Sequence, residues 1–297
     1  MPVSPVLAPL PGARSPRDPQ RAIKRGPSRV PREQVAATQR DRLYDGLVRT
    51  VAEHGYANAS VSDICRVSGV TRPAFYEHFE SKQGAFLAAY RHGTDVLFAM
   101  LRHAFVGVVD VGDDAESGDG AEAEVNAQAA AAEAEADLTA GGPCPAADRG
   151  ADVETWARAT CAVLAVLLDV LASVPAFATA AIVEIDAVGP QGRLARRERL
   201  RDFEAFFALA PATPSSVDRT ELVNAVVAGA YGTLYRYIAE GRAAELPNLL
   251  SGLVYFVIAP FAGPEIAEKA AHAALADHPR SVAPCVPAQA EPGVGDD

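Results

Sequence analysis

Apolar residues recur at helical spacing through most of the chain. Between residues 35 and 54, Leu43, Leu47, Val48 and Val51 share one face, Arg40, Asp41, Arg42 and Glu53 take the other, and Gly55 closes the run. A short second helix follows. Ser60 stands as its N-cap, Asp63 lies near the positive end of its dipole, and Ile64 and Cys65 face inward while Arg66 faces out. Gly69 falls where a helix ends in a left-handed residue, and Val70 fills the corner. Thr71 caps a third helix, where Pro73 is tolerated because the first turn has no intrahelical partner for an amide hydrogen. Phe75 and Phe79 point to the core, which leaves Arg72, Tyr76 and His78 outward. Ser81 caps a fourth helix whose first turn carries Lys82, a cation that opposes the dipole and makes a phosphate neighbour attractive.

The pattern is helical again from about residue 151. Trp156, Val163, Leu164, Leu167, Leu168 and Leu171 form an apolar helix that Pro175 ends, broken by Asp169 and short of the eighteen residues or so that span a bilayer. It therefore reads as a core helix and no membrane is expected. A further helical stretch covers roughly 175–187, and Gly189-Pro190 precedes the basic, amphipathic GRLARRERLRDFEAFFALA. The last two helices, about 215–241 and 246–262, differ in character. Val223, Val226, Val227, Ala230, Leu234 and Ile238 give the first an apolar face, whereas LPNLLSGLVYFVIAPFAG is apolar almost all round and must be covered. The fold class is all-α: a three-helix helix-turn-helix head plus a larger helical domain.

Charge changes this picture locally. The net charge of −11 is unusual for a nucleic-acid-binding chain. Between residues 11 and 42, however, nine Lys or Arg face three acids, a surplus of six beside the helix-turn-helix. Pro and Gly punctuate residues 1–34 so heavily that they read as a disordered basic arm able to lie along phosphates or enter the minor groove. Residues 110–150 hold eleven acids against Arg149 alone, amid Ala and Gly, and read as an acidic disordered insertion. The remaining boundaries are a helix-turn-helix domain at 35–82, a connecting helix at 83–109, a larger helical domain at 151–275, and a disordered tail at 276–297.

The stretch from about residue 38 to 90 resembles the DNA-binding domain of TetR-family (tetracycline-repressor-like) transcriptional regulators. The matching words are Gly55-Tyr56, SVSDICRVSGV, Phe75-Tyr76-x-His78-Phe79 and Ser81-Lys82. Pro73 departs from the family's usual small residue, as does Ala85-Phe86 from its leucine-rich start of the fourth helix. The resemblance implies that Arg72 reads base edges in the major groove, where arginine can donate twice to guanine. It places Thr71, Tyr76, His78, Lys82 and Ser62 against phosphates. It also assigns ligand binding and dimerisation to the helical domain at 151–275, and implies a homodimer through helices about 215–241 and 246–262, a pseudo-palindromic double-stranded DNA operator and a small-molecule effector. The effector pocket would be lined by Phe98, Leu101, Phe105, Trp156, Thr160, Leu164, Phe177, Ile182, Tyr231 and Tyr235, whose apolar bias favours a hydrophobic molecule.

Catalytic chemistry finds no support in the pattern. The four cysteines (65, 144, 161, 285) are too scattered for a zinc site or a disulfide framework, and no Gly-rich phosphate loop or G-x-S-x-G elbow is present. No metal, cofactor or enzymatic activity is expected. The sequence supports a cytoplasmic, bacterial, ligand-released repressor, nucleoid-associated when on DNA. The alternative is a helical ligand-binding or dimeric adaptor protein that has lost DNA binding.

Overall fold

The computed structural model describes residues 9–16, 31–114, 153–213 and 216–277. Helices α1 (Arg32–Asn58), α2 (Val61–Ser68) and α3 (Arg72–His78) form the head. Leu43, Leu47, Val48 and Val51 of α1, Ile64 of α2 and Phe75 of α3 are all buried, so the inward residues at helical spacing are those that close this small core. The caps hold it in register. The Ser60 hydroxyl accepts the Asp63 amide, Gly69 takes φ 65° at the end of α2, and the Val70 amide returns to the Cys65 carbonyl at 3.2 Å.

Helix α4 (Lys82–Asp114) carries the chain from head to core and is opened by the Ser81 hydroxyl, which accepts the Gly84 amide at 3.0 Å. It packs along α5 (Val153–Ser173), which α9 (Leu250–Asp277) covers on another side. Between α5 and α9 the chain makes the short α6 (Pro175–Ala178), a π turn Thr179–Val183 and a 3-10 turn Glu184–Val188. Then come α7 (Pro190–Asp202), a 3-10 turn Phe203–Phe207, and α8 (Arg219–Ala239). A last 3-10 turn, Ala243–Leu249, leads into α9.

Several expectations change. Helix α1 starts at Arg32, inside the expected arm, and continues through a break at Gly55 (φ 75°, ψ 153°) as far as Asn58. Residues 9–16 are docked rather than free: Leu10 is only 4% exposed and joins the core, and side chains of α1 satisfy the segment's backbone. The rest of the arm, most of the acidic insertion and the tail from residue 278 lie outside the described residues.

The 175–187 stretch is helical but changes pitch twice, and α9 runs past 262 to Asp277 through a second break at Gly263 (φ 81°). Helix α5 is 21 residues long, enough in length to span a bilayer, contrary to the expectation of a shorter run. Most of its apolar window is buried against neighbouring helices, so it remains a core helix. The Ala243–Ala276 stretch also passes by length and composition, but it contains Pro260, the Gly263 break, Glu265, Glu268 and Lys269.

Candidate nucleic-acid interface and apolar cavity

Thr71 sets the start of α3. Its hydroxyl accepts the Ala74 amide at 3.4 Å, and Pro73 sits in the first turn without breaking the helix. Phe75 anchors the helix from below. Its ring meets Phe79 at 5.6 Å, and Phe79 in turn meets Tyr44 of α1 at 5.9 Å. Phe79 itself lies at the helix end and is only half-buried. With Phe75 fully buried, Arg72 and Tyr76 face solvent, Tyr76 being 51% exposed and packed edge-on to Phe75. Ser62 and Thr71 are exposed beside them. His78 is half-buried, with Nε2 3.2 Å from Gln39 Oε1 of α1.

Lys82 is placed differently from its first-turn expectation. Its ammonium donates to the Tyr56 carbonyl at 2.7 Å and the Ala59 carbonyl at 2.9 Å, and lies over the Tyr56 ring. These carbonyls close α1, so the cation complements the negative end of that helix rather than opposing its own. Burial pushes its pKa below the ordinary lysine value. An ammonium has three N–H donors, which leaves one for a phosphate. Thr71, Arg72, Tyr76 and Ser62 are thus exposed on the head, while His78 and Lys82 are half-buried.

In the core, α4, α5, the π turn, α7, the Phe203–Phe207 turn and α8 enclose a cavity of about 110 Å³. This is close to the ~150 Å³ cavity in which a benzene ring binds. Of the ten residues expected to line a pocket, Phe98, Thr160, Leu164, Phe177, Ile182 and Tyr231 do so. Four do not. Leu101 and Phe105 are fully buried in helix packing, with Phe105 edge-on to Phe206 at 5.5 Å. Trp156 lies behind the cavity wall, donating its indole N–H to the Phe206 carbonyl at 3.0 Å. Tyr235 is on the outer surface, 40% exposed.

Sequence reasoning missed Tyr90, Thr94, Phe203, Phe206, Arg196 and Arg199 in the wall. The aromatic spacing in RDFEAFFALA was the signal available for two of them. Arg196 and Arg199 line an apolar cavity because their charges are met elsewhere, by Asp186 at 3.0 Å and by Asp95 and Asp202. The Tyr231 hydroxyl donates to the Ile182 carbonyl at 2.7 Å. The Thr160 hydroxyl is the one buried polar side-chain atom of the α5 wall without a partner among the described residues.

Cavity and head meet on one short segment. Ala181 and Ile182 of the π turn line the cavity, and Glu184 just beyond accepts the Tyr56 amide of α1 at 2.7 Å. That amide is available because the break at Gly55 removes it from the helical ladder.

A short helix that follows a capped glycine turn, with its outer residues exposed and its inner face locked by Phe75, is the geometry of a helix-turn-helix. Residues 43–89 match the family model of bacterial regulatory proteins, tetR family. The chain is also similar to the HTH-type transcriptional repressor Rv1474c of Mycobacterium tuberculosis (strain ATCC 25618 / H37Rv). The two are 33% identical over 78 residues, which is 26% of this chain and 42% of that relative. Among solved structures it is similar to the fatty acid degradation regulator FadR from Bacillus halodurans, with a TM-score of 0.48 and 15% identity over 80% of this chain and 97% of that one. Over residues 43–89 the chain is therefore similar to the DNA-binding region of tetR-family regulatory proteins, and it spans less than half the length of the curated relative it matches.

Proposed function

We propose that the chain is a dimeric, sequence-specific repressor in the bacterial cytoplasm, released from its operator by a small apolar ligand. Arg72 reads base edges, and Ser62, Thr71, Tyr76, His78 and the remaining Lys82 donor hold phosphates on either side of the groove. Phe98, Thr160, Leu164, Phe177, Ile182 and Tyr231 contact the ligand. Tyr235 of α8 and Tyr255 and Phe256 of α9 are exposed aromatics, Phe256 lying against Gly229 of α8, and they favour pairing of these two helices with a second copy.

One observation carries the ligand-responsive part: the π turn whose Ala181 and Ile182 line the cavity runs directly into the 3-10 turn whose Glu184 holds the head. A ligand that displaces this turn acts on the equilibrium between head orientations, as coupling between two sites requires. The largely apolar lining favours an apolar occupant: its two guanidiniums are paired with acids, and the Thr160 hydroxyl and Arg196 Nε are the buried polar atoms of the wall left to bond it among the described residues.

Footprinting with the full-length chain on the DNA upstream of its own gene tests the reading. A protected pseudo-palindrome with half-sites about one helical turn apart is expected. Compounds that quench Trp156, the single tryptophan, should relieve that protection. No protected site would remove the repressor reading. Protection that no Trp156-quenching compound relieves would remove the ligand.

A further inference from the structure

The polar side chains of α1 nearest residues 9–16 are spaced three and four apart, at Arg42, Asp45 and Arg49. All three bond the backbone of that segment. Asp45, 4% exposed, accepts the Gly12 amide at 2.7 Å. Arg49 donates to the Gly12 carbonyl at 2.7 Å and to the Arg14 carbonyl at 3.3 Å. Arg42 donates to the Pro16 carbonyl at 2.9 Å and to the Ser68 carbonyl at 3.1 Å, which joins the segment to the end of α2. Leu10 supplies an apolar anchor beside them.

The segment also touches the core. A Cβ on Gly12 would stand 3.1 Å from Val48 of the head, but also 3.6 Å from Ala176 and 3.7 Å from Val174 of the core. Its φ of 89° lies in the left-handed region. Gly12 is therefore clamped where head and core meet, in a conformation that a side chain would strain and in a space that a side chain would fill.

We propose that residues 10–16 are an intramolecular strap that holds the DNA-binding head against the core. The strap adds a bridge to the packing of α1 on α6, the π turn and the 3-10 turn that carries Glu184. With it seated, head and core open together; with it out, the head opens locally on its own. It also lowers the ordering cost of presenting α3 to DNA, because a head already held loses less freedom on binding. Capture of these residues by another molecule would then change operator affinity without any ligand in the cavity. This strap role is separate from phosphate contact by a basic arm: its bonds are made to the chain's own backbone.

Leu10→Asp puts a charge into the apolar seat, and Leu10→Met preserves the seat; both lie outside the head helices. Hydrogen exchange of the full-length chain is read on α1–α3 and on α5. Leu10→Asp should speed exchange of the head amides about tenfold while α5 stays within about twofold, and Leu10→Met should match the wild type. On the upstream DNA, Leu10→Asp should bind about fivefold more weakly with an unchanged salt slope. Head exchange unchanged in Leu10→Asp would overturn the strap. A shallower salt slope would overturn it in favour of a phosphate-contacting arm. Because exchange needs no DNA, the strap is judged even if the operator reading fails.

Discussion

The Glu184 carboxylate accepts the backbone N–H of Tyr56 at 2.7 Å, so the last turn of the head's first helix is capped by a residue from the core. The contact exists because Gly55 leaves the helical conformation and frees that amide. Removing the acceptor leaves a partly buried donor unsatisfied, at a cost of about 1–3 kcal/mol. Glu184→Ala should lose stability of that order in denaturant unfolding, and Glu184→Gln, which keeps an acceptor, should lose clearly less. Equal losses in the two variants would mean that the carboxylate charge matters and the bond does not.

Arg72 is exposed at the first position of α3, with no ion-pair partner among the described residues. Arg72→Ala should weaken operator binding by about 1–3 kcal/mol and relax selection at one base pair, as seen in binding to a set of single-base operator variants. Loss spread evenly over all sequences would make Arg72 a phosphate contact.

The cavity can be closed from α8. Ala230 lines it and is small. Ala230→Leu should weaken binding of benzene, followed by the quenching or shift of Trp156 fluorescence or by calorimetry, about tenfold or more by excluded volume, with a modest stability cost of about 1–3 kcal/mol for overpacking. Binding that is unchanged would place the benzene elsewhere.

Burial raises the Tyr90 phenol above its ordinary value of 10.0, and burial moves Tyr231 in the same direction. A phenol whose folded pKa is raised contributes stability that is fully present below pH 10 and is lost as pH rises through the folded value. Melting temperature should therefore fall more steeply above pH 10 in the wild type than in Tyr90→Phe. Parallel curves would show that Tyr90 does not titrate with unfolding.

The head was legible because its signals are local. Ser60, Gly69, Thr71 and Ser81 each act within three residues or so, and each cap forms as its residue type dictates. The features missed are long-range. Lys82 looked like a mismatched cation in its own helix until the fold brought the carbonyls of Tyr56 and Ala59 to it. Residues 9–16 read as free chain because Pro and Gly hide a seat made by Asp45 and Arg49, more than thirty residues away. In the cavity, helical spacing alone could not separate Phe98, which lines it, from Phe105, two turns further along the same helix and packed edge-on to Phe206. That choice depends on where the 3-10 turn Phe203–Phe207 lands.

Exposed Tyr235 and Tyr255 sit on the two helices proposed to pair. The double change Tyr235→Glu with Tyr255→Glu should convert a dimer to a monomer in sedimentation, since burying like charges across a two-fold interface is costly. A wild type that sediments as a monomer would remove the dimer.

The central claim is that α3 reads a DNA sequence. Its most direct test compares binding of the full-length chain to the duplex upstream of its own gene and to a scrambled duplex of equal length, over a salt series. The account predicts a preference of roughly 10³-fold or more for the upstream duplex, with affinity that falls linearly in log–log form as salt rises. Equal affinity for the two duplexes at every salt concentration would contradict it.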